Sequence, residues 1–410
     1  MQKILLLIAS LFYFNFILAE NEIKSWQGIH ETPLSRLEQQ FAEPPVEFAN
    51  HVIWGWEGKM DKKTICNDLD SIKKKGFRAV IFEAGYKLPF KYLSEEWFKA
   101  IRTGVVEAKK RDMKVWIIDE GKYPSGFAGG KFSQERPDLR MQALVIGDTI
   151  QIKRGEVMTN HKIAPEIISA VAVSTSGAPN RTVAINNGEI SFNAGLDDWK
   201  ILLVKSDFRT AVTRAVNNPN GGKDATNSLC DYLNPVAVQQ FIDWTHKQYK
   251  KYLGKELGTT VLGFRGDEPD YAHLPWTPSI VQTFKDTKGY DPTPYLASFF
   301  TASPTIQEQR VKADYWDVWS SLFATHFFKL QADWCAANGV AHITHLNKEH
   351  EMPACVKAEG DYFRALSKVQ IPGVDAIWNQ IWPSTLNDFP KLASSVAHVY
   401  GKPRAFSESF

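Results

Sequence analysis

Short apolar runs alternate with amphipathic stretches along much of the chain. In the first third, near-continuous apolar runs cover residues 51–56, 78–83 and 114–120, and stretches with apolar positions at helical spacing separate them. Apolar runs of this length are typical of strands that are buried on both faces, as in parallel sheets. The strand, helix, strand order therefore predicts a parallel α/β sheet.

The same alternation returns in the second half of the chain. Strand-like runs cover residues 259–264, 340–345, 375–378 and 404–407. Helices are predicted over 61–75, 94–111, 235–253, 306–338 and 386–400, from start signals such as Asp61 and Asn234-Pro235 and from glycines that follow several of them. Seven strands that alternate with helices predict an α/β fold of the (β/α)8 TIM-barrel type, with one strand missing.

The missing strand affects the interpretation of the whole chain. A barrel that lacks its eighth strand and helix exposes two unpaired strand edges. We therefore expect the chain to be a fragment of a longer protein, in preference to a natural seven-stranded barrel.

A different pattern interrupts the alternation after the third strand. Short β segments separated by turn-rich stretches occupy about residues 141–208. This pattern predicts a small β-rich insertion within a barrel domain that extends over 48–410. Residues 20–47 are polar and irregular, and they predict a lead segment that precedes the barrel.

The first residues have the composition of a secretory signal peptide. Lys3 gives a positive start, residues 4–18 are almost wholly apolar, and Ala19 supplies a small residue for cleavage. An uncleaved membrane anchor is the alternative, but the apolar run is shorter than the roughly 20 residues that span a bilayer. We expect cleavage after residue 19, no membrane span afterwards, and export to the periplasm, the cell surface or the medium.

Composition narrows the class of partner. The formal net charge is +2 and no block of Lys or Arg is present, so nucleic acid is not an expected ligand. Aromatic residues make up 12% of the 410 residues and include 13 Trp, which mildly favours a carbohydrate ligand. The four cysteines show no CxxC spacing, so a zinc site is not expected; a Cys335–Cys355 disulfide and four free thiols both remain open.

Carboxylates at strand ends are the leading candidates for catalysis. Asp267 and Glu268 follow the fourth strand, and Glu408 follows the seventh. In TIM barrels the catalytic groups lie where strands end, and most glycosidases use a pair of carboxylates. Glu268 is the predicted general acid and Glu408 the predicted base or nucleophile, whereas a salt-bridged pair and an ordinary terminal residue are the structural alternatives.

Several further side chains are predicted to bind substrate. Asp119 and Glu120 precede a glycine-rich loop whose N–H groups could bind sugar hydroxyls or a cation. His345 could bind a sugar hydroxyl, while His342, three residues earlier, faces the opposite side of the strand. The predicted substrate-binding residues are Trp56, Asp119, Glu120, Tyr123, Asp267, His345, Asn347, Asp361 and Trp378.

Five motifs, taken in order, resemble the family 106 glycoside hydrolases, which are bacterial α-L-rhamnosidases. They are His51 to Gly58 with Met60, Asp119 to Gly126 with Ala128-Gly129-Gly130, Asp231-Tyr232-Leu233-Asn234-Pro235, Gly266-Asp267-Glu268-Pro269, and Phe406-Ser407-Glu408. The resemblance implies an inverting glycosidase with Glu268 as acid and Glu408 as base. It also implies a calcium ion that helps to bind the sugar, with ligands that the motifs do not identify.

The resemblance implies an oligosaccharide or polysaccharide substrate with terminal α-L-rhamnosyl linkages. Two alternatives stay open: a non-catalytic carbohydrate-binding barrel, and a retaining glycosidase or one specific for another sugar of the same clan. An inverting pair of carboxyl groups is separated by roughly 6.5–9.5 Å and a retaining pair by roughly 5 Å. The sequence leaves the oligomeric state open.

Overall fold

The computed structural model describes residues 33–44, 50–121, 123–209, 213–214, 223–224, 228–271, 274–378, 380–381, 384 and 387–409. The predicted signal peptide at 1–19 lies outside these residues, as does most of the predicted lead segment. Within the described ranges, no helix combines the length and the apolar character needed to cross a bilayer.

A curled sheet of seven parallel strands forms the centre of the described structure. The strands are β1 (His51–Trp56), β2 (Ala79–Ala84), β3 (Lys114–Ile118), β13 (Val261–Gly266), β15 (Ala341–Thr344), β16 (Ile371–Asp375) and β17 (Phe406–Glu408). They pair in this order, so that β1 and β17 are the edge strands among the described residues. The α/β class and the parallel sheet are confirmed, whereas a complete eight-stranded barrel is not observed.

Apolar side chains fill the inner face of the curled sheet. Ile81, Trp116, Leu262, Ile343 and Ile371 form one inner cluster, against which edge-strand residues of β1 and β17 also pack. Gly263 permits close pairing of β13 with β15, since a Cβ atom there would lie 1.9 Å from the Ala341 carbonyl oxygen. The inner cluster thus brings both edges of the sheet around a common interior.

The described residues form twelve α-helices, and the first of them, which has no buried residue, lies in the lead segment that was predicted to be irregular. They are α1 (Leu34–Ala42), α2 (Lys62–Lys74), α3 (Glu95–Lys110), α4 (Lys131–Glu135), α5 (Pro235–Trp244), α6 (His246–Leu253), α7 (Ile280–Lys288), α8 (Ile306–Leu322), α9 (Lys329–Ala337), α10 (Met352–Glu359), α11 (Tyr362–Leu366) and α12 (Lys391–Val399). Side chains cap the helix starts as predicted: Asp61 accepts from the Thr64 N–H at 2.9 Å, and Asn234 from the Val236 N–H at 3.0 Å.

Three predicted helices differ in detail from the observed ones. The helix predicted over 235–253 breaks at Thr245, whose N–H and hydroxyl both donate to the Phe241 carbonyl. The helix predicted over 306–338 is observed as α8 and α9, joined by a π-helical turn at Phe323–Phe328. The helix predicted over 386–400 is observed only at Lys391–Val399, directly after Pro390.

A second, antiparallel β layer lies in the sequence between β3 and β13. Its strands are β4 (Gln142–Ile152), β5 (Val157–Lys162), β6 (Ile167–Ser174), β7 (Arg181–Thr182), β8 (Ile185–Asn186), β9 (Glu189–Asn193) and β10 (Trp199–Phe208). The strands β4, β10, β6 and β7 pair in that order, with β14 (Pro275–Trp276) at the edge beside β4. A separate three-stranded sheet has the order β5, β9, β8, and β11 (Thr213–Arg214) pairs with β12 (Lys223–Asp224).

Candidate active site

The inner faces of the seven parallel strands enclose an elongated cavity of about 1320 Å³, here called the central groove. Asn50, Phe77 and Lys114 line it near the starts of β1, β2 and β3. Five carboxylates line the opposite end, where strands finish: Glu83, Asp267, Glu268, Asp375 and Glu408. The groove therefore places its acidic groups at the carboxyl end of the sheet, where barrel enzymes have their active sites.

A buried guanidinium group organises this acidic end. The Arg265 side chain is 2% exposed, and its Nη2 atom pairs with Glu408 Oε2. The same nitrogen lies 3.6 Å from Asp267 Oδ1. Since a buried charge requires a partner of opposite sign, Arg265 holds Glu408 and Asp267 in place and balances part of their charge.

His345 lies beneath the carboxylates and contacts three of them. Its Nε2 atom is 3.4 Å from Asp267 Oδ1, 3.6 Å from Glu408 Oε2 and 4.0 Å from Glu268 Oε1. Burial, with a smaller contribution from Arg265, lowers the pKa of His345 to about 3, so the ring is neutral. The residue was predicted to bind a sugar hydroxyl; its ring is fully buried, and its Nε2 has no hydrogen-bond partner among the described residues.

Glu268 and Glu408 share one site. Because the 4.0 Å and 3.6 Å contacts meet at the same His345 nitrogen, the two glutamate oxygens lie within 7.6 Å of each other. Around His345, Glu268 groups with Asp375, whereas Glu408 groups with Asp267. The two glutamates thus approach the same point from different strands, which is the arrangement that an acid and base pair requires.

Glu268 is set up to hold a proton. Burial raises its pKa to about 9, and the negative charges of Asp267, Asp375, Glu349 and Glu408 add to the rise. Its backbone has φ of 40° in the left-handed region, which is uncommon for a residue with a side chain. The left-handed turn follows directly after β13 and lets two consecutive carboxylates line the groove, although successive strand residues would point to opposite faces.

Glu408 has a different balance of surroundings. Burial raises the pKa of its carboxyl group to about 7, while Arg265 opposes the rise and Asp267 and Asp375 add to it. Its pKa therefore stays below that of Glu268 because the guanidinium ion stabilises the charged form. At neutral pH the pair contains one protonated and one partly ionised carboxyl group.

The sequence analysis missed Asp375, Glu349 and Arg265. Asp375 is the last residue of β16, is 3% exposed, and has a pKa that burial raises to about 6. Burial raises the pKa of Glu349 to about 8, and its Oε1 accepts from the Leu346 N–H at 2.8 Å. The rule that selected Glu268 would also have selected Asp375, had the end of its strand been placed correctly.

A chain of hydrogen bonds fixes the position of Asp267. The Ser125 hydroxyl donates to Asp119 Oδ1 at 2.6 Å and accepts from the Asp267 N–H at 2.7 Å. The Ser125 N–H donates to the Asp267 carbonyl at 2.8 Å. Asp119 was predicted to bind substrate; the structure places it fully buried behind Asp267, to which Ser125 connects it.

Glu120 has a structural position that the sequence analysis did not anticipate. Its carboxylate accepts from the N–H groups of Gly121 at 2.7 Å, Gly129 at 3.0 Å and Ala128. The loop N–H groups predicted to face a ligand therefore bind this buried carboxylate. Glu120 folds the loop and does not line the groove.

The remaining predicted residues divide between the groove and the rest of the protein. Tyr123 and Trp378 line the central groove, and the Trp378 ring is 76% exposed, as a stacking surface requires. Trp56 is fully buried beside Trp54 and Trp97 on the outer face of the sheet, so it cannot contact a ligand. Trp56 lies on the face of β1 that contacts the helices. Because successive side chains of a strand alternate between its two faces, Trp56 does not face the groove.

Asp361 and Asn347 lie away from the groove lining. Asp361 is exposed and caps α11 by accepting from the Arg364 N–H at 3.0 Å. Asn347 is half-buried, and its Nδ2 atom lies 3.4 Å from Asp270 Oδ2. Asp361 is therefore a helix cap. Asn347 contacts one member of a group of buried carboxylates, here called the acidic layer, which consists of Asp270, Glu349, Glu359 and Asp375.

That acidic layer has the donor atoms of a hard-cation site. Glu349 Oε2, Glu359 Oε2, Asp270 Oδ1 and Asp375 Oδ1 are buried and have no hydrogen-bond partner among the described residues. Calcium binds six to eight oxygen ligands, mainly carboxylates and carbonyls. These oxygens are of the type that calcium prefers, but no three of the four residues form a group of donors within 4.8 Å of one another among the described residues.

Three comparisons with known proteins extend this picture. The model of glycoside hydrolase family 106, described as alpha-L-rhamnosidase, matches residues 159–410, which is more than half of the chain. A protein of Formosa agariphila named "Putative beta-glucuronidase" is 23% identical over 92% of the chain and 35% of its own length. The structure of a rhamnosidase from Novosphingobium sp. PP1Y superposes with a TM-score of 0.65 at 15% identity, over 90% of this chain and 52% of that one.

The chain is considerably shorter than these two proteins. It spans about a third of the curated relative and about half of the rhamnosidase structure. At 15% identity the structural match shows the fold alone. It supports the interpretation of the curled parallel sheet as a glycosidase-type fold.

Proposed function

The chain belongs to the α-L-rhamnosidases of glycoside hydrolase family 106, and we propose that it hydrolyses terminal α-L-rhamnosyl linkages in glycans by an inverting mechanism. Glu268 is the general acid and Glu408 the general base. The observation that carries the proposal is the meeting of these two carboxylates at one buried histidine, at the carboxyl end of an open groove.

Each step of the reaction uses one of the two glutamates. The glycosidic bond between the anomeric carbon and the leaving oxygen breaks, and that oxygen takes the Glu268 proton. A water molecule attacks the anomeric carbon from the opposite ring face and transfers a proton to Glu408. Exchange with solvent then returns a proton to Glu268 and removes one from Glu408, so the enzyme is regenerated and one water molecule is consumed.

The electrostatic order supports this assignment of roles. Glu268 has a pKa of about 9 and is protonated at neutral pH, as an acid catalyst must be. Glu408 has a pKa of about 7 and is paired with Arg265, which favours the ionised form that a base requires. If the roles were exchanged, Glu268, the carboxyl group with the higher pKa, would have to act as the base.

The acidic end of the groove favours a neutral sugar over a uronic acid. Asp267, Glu268, Asp375 and Glu408 line it, and the guanidinium of Arg265 is already paired with Glu408. A sugar carboxylate placed there would meet several like charges in a poorly solvated site, which is costly. A 6-deoxyhexose such as rhamnose presents a methyl group and hydroxyls and avoids this repulsion.

We also propose that the acidic layer holds calcium. Glu349, Glu359, Asp270 and Asp375 would supply oxygen ligands. When bound, the ion would offset the charge of these carboxylates and could orient sugar hydroxyls. This chain's own residues, Glu268 and Glu408, perform the proton transfers.

A series of leaving groups tests the acid assignment. Glu268→Gln removes the transferable proton, so kcat for a methyl or flavonol rhamnoside should fall by roughly 10³-fold, within the usual range for a lost acid catalyst. The fall should be far smaller for p-nitrophenyl α-L-rhamnoside, whose leaving group needs little protonation. Glu408→Gln should slow both substrates equally, because water attack is common to both.

Controls separate this proposal from its alternatives. Glu351→Gln changes an exposed carboxylate and should leave both rates unchanged. Proton NMR of the first-formed sugar should show the anomer opposite to that of the substrate. An unchanged anomer would contradict inversion, and rhamnose binding without turnover by the unmodified chain would instead favour a carbohydrate-binding barrel.

A further inference from the structure

A cluster of two histidines and one cysteine lies on the far side of the sheet from the central groove. His246, Cys335 and His342 each place a nitrogen or sulfur atom within 4.8 Å of the other two. All three side chains are at most 1% exposed. Imidazole nitrogen and thiolate sulfur are the donors that soft transition-metal ions prefer.

Three separate elements bring these residues together. His246 begins α6, Cys335 lies in α9, and His342 lies in β15 next to Ile343, whose side chain lines the groove. Because successive strand residues face opposite sides, His342 points away from the proposed catalytic groove. The cluster is therefore independent of the catalytic site.

The hydrogen bonds of Thr245 fix the protonation state of His246. The Thr245 hydroxyl donates its single proton to the Phe241 carbonyl at 2.7 Å. Its oxygen also lies 2.9 Å from His246 Nδ1, which must therefore be the donor in that contact. The proton of the neutral ring is thus on Nδ1, and Nε2 presents a lone pair.

Several donor atoms of the cluster have nothing to bind. His246 Nε2 and both ring nitrogens of His342 are buried and without a hydrogen-bond partner among the described residues. Buried polar atoms are rarely left without a partner. Phe264 lies 4.2 Å from the His246 ring and Trp334 5.3 Å from it, so aromatic side chains border the cluster.

We propose that His246, Cys335 and His342 bind a soft monovalent metal ion, of which Cu(I) is the common example. Charge balance favours a monovalent ion, because a thiolate and two neutral imidazoles leave no net charge around it in a buried site. Binding exchanges one proton for one ion, since the Cys335 thiol releases its proton to solvent as the metal–sulfur bond forms. The Thr245 contact that holds His246 Nδ1 is the kind of outer contact that fixes metal-binding histidines.

Metal titration of the whole chain tests the proposal. Cu(I) is supplied without oxygen, with bicinchoninate as a competing chelator, and bound copper is counted per chain. One tightly held equivalent is expected, and X-ray absorption should show one sulfur and two nitrogen neighbours. Cys335→Ser should lose this equivalent, while Cys355→Ser, which alters another buried thiol, should retain it.

A second variant keeps all three metal-binding side chains and changes only the residue that holds His246 in place. Thr245→Val removes the acceptor for His246 Nδ1–H and should weaken Cu(I) binding by roughly 10–100-fold, as for other outer contacts of metal ligands. Circular dichroism confirms that each variant is folded. Equal copper content in the unmodified chain and in Cys335→Ser would overturn the proposal, as would tight binding of Zn(II) without binding of Cu(I).

Discussion

At the scale of single residues, Arg265 decides how the two glutamates divide their roles. Its guanidinium pairs with Glu408 and also lies near Asp267, whereas the charges that most affect the pKa of Glu268 are those of other carboxylates. Catalysis needs Glu408 ionised and Glu268 protonated. Activity should therefore rise as pH passes about 7 and fall as pH passes about 9.

Arg265→Met tests this control directly. Removing the positive charge raises the pKa of Glu408, because Arg265 stabilises the ionised carboxylate. The acidic limb of kcat/KM against pH should move upward by roughly one unit or more, in line with the effect of a close opposite charge. Arg265→Lys retains the charge and should move the limb less, and an unmoved limb in the methionine variant would contradict the role of Arg265.

The sequence predicted which residues lie in the candidate active site only where the position of a residue along its strand determined this. Asp267, Glu268 and Glu408 follow strands directly, and the structure brings them together. Arg265 is a strand residue whose inward direction depends on the exact register. Glu120 was predicted to bind ligand, but three loop N–H groups that lie nearby only after folding bind it instead.

At the scale of elements, the pairing of β16 with β17 sets the position of the proposed base. Gly373 in β16 pairs with Phe406, and Asp375 pairs with Glu408. A Cβ atom at Gly373 would lie 2.2 Å from two atoms of the Phe406 ring. The absence of a side chain at this glycine therefore allows β17 to approach and Glu408 to reach Arg265.

Gly373→Ala should displace β17 and lower kcat by at least about tenfold, since small misplacements of catalytic groups are costly. Adding Phe406→Ala to this variant removes the clash with the ring, but the new Cβ still lies 2.8 Å from the Thr344 carbonyl oxygen, so only part of the loss should be recovered. Gly147→Ala is the control, because its new Cβ would meet only side-chain atoms, those of Lys205 at 3.1 Å and Ile167 Cδ1 at 3.3 Å, among its three nearest neighbours. Failure of the double variant to exceed Gly373→Ala would count against the steric explanation.

Element types were easier to predict than element ends. Apolar runs located six of the seven strands, because strands buried on both faces need apolar residues at nearly every position. The sixth was predicted at 375–378 and is observed at Ile371–Asp375. The break at Thr245 and the π-helical turn at Phe323–Phe328 have no periodic signal, since both depend on contacts made after the helices dock. The fourth strand was predicted at 259–264 and is observed at Val261–Gly266.

At the scale of the whole molecule, buried carboxyl groups make stability depend on pH. Burial raises the pKa of Glu120 to about 7, that of Asp231 to about 7 and that of Glu349 to about 8. Between the unfolded pKa of about 4 and these values, the folded chain binds more protons than the unfolded chain. These carboxyl groups therefore lower the free energy of unfolding as pH rises through this window, whereas burial lowers the pKa values of His51, His342 and His345 and opposes the decrease below a pH of about 6.5.

We expect the melting temperature of the metal-free chain to be roughly 5–10 °C lower at pH 8 than at pH 5. Added calcium should recover part of the difference, because Glu349 belongs to the proposed calcium site while Glu120 and Asp231 do not. Differential scanning calorimetry with and without a calcium chelator measures both effects. A melting temperature that rises from pH 5 to pH 8 without calcium would contradict the sign of this prediction.

The general architecture was predictable because hydrophobic periodicity and strand order reflect the parallel sheet directly. The sheet curls around a groove whose lining includes Ile53 of β1 and Phe406 of β17, at opposite ends of the strand order. The contact between these residues and the inner cluster joins segments some 350 positions apart, as the numbering shows. No local pattern in the sequence encodes such a long-range contact.

The position of Arg265 also has a consequence for how the site can change by substitution. One side chain pairs with Glu408, lies near Asp267 and borders His345. A replacement at 265 alters charge and packing for all three neighbours at once, so its effect depends on which residues accompany it. We expect replacements at 265 to be tolerated only together with a change at 408 or 267, so these three positions should change together in evolution.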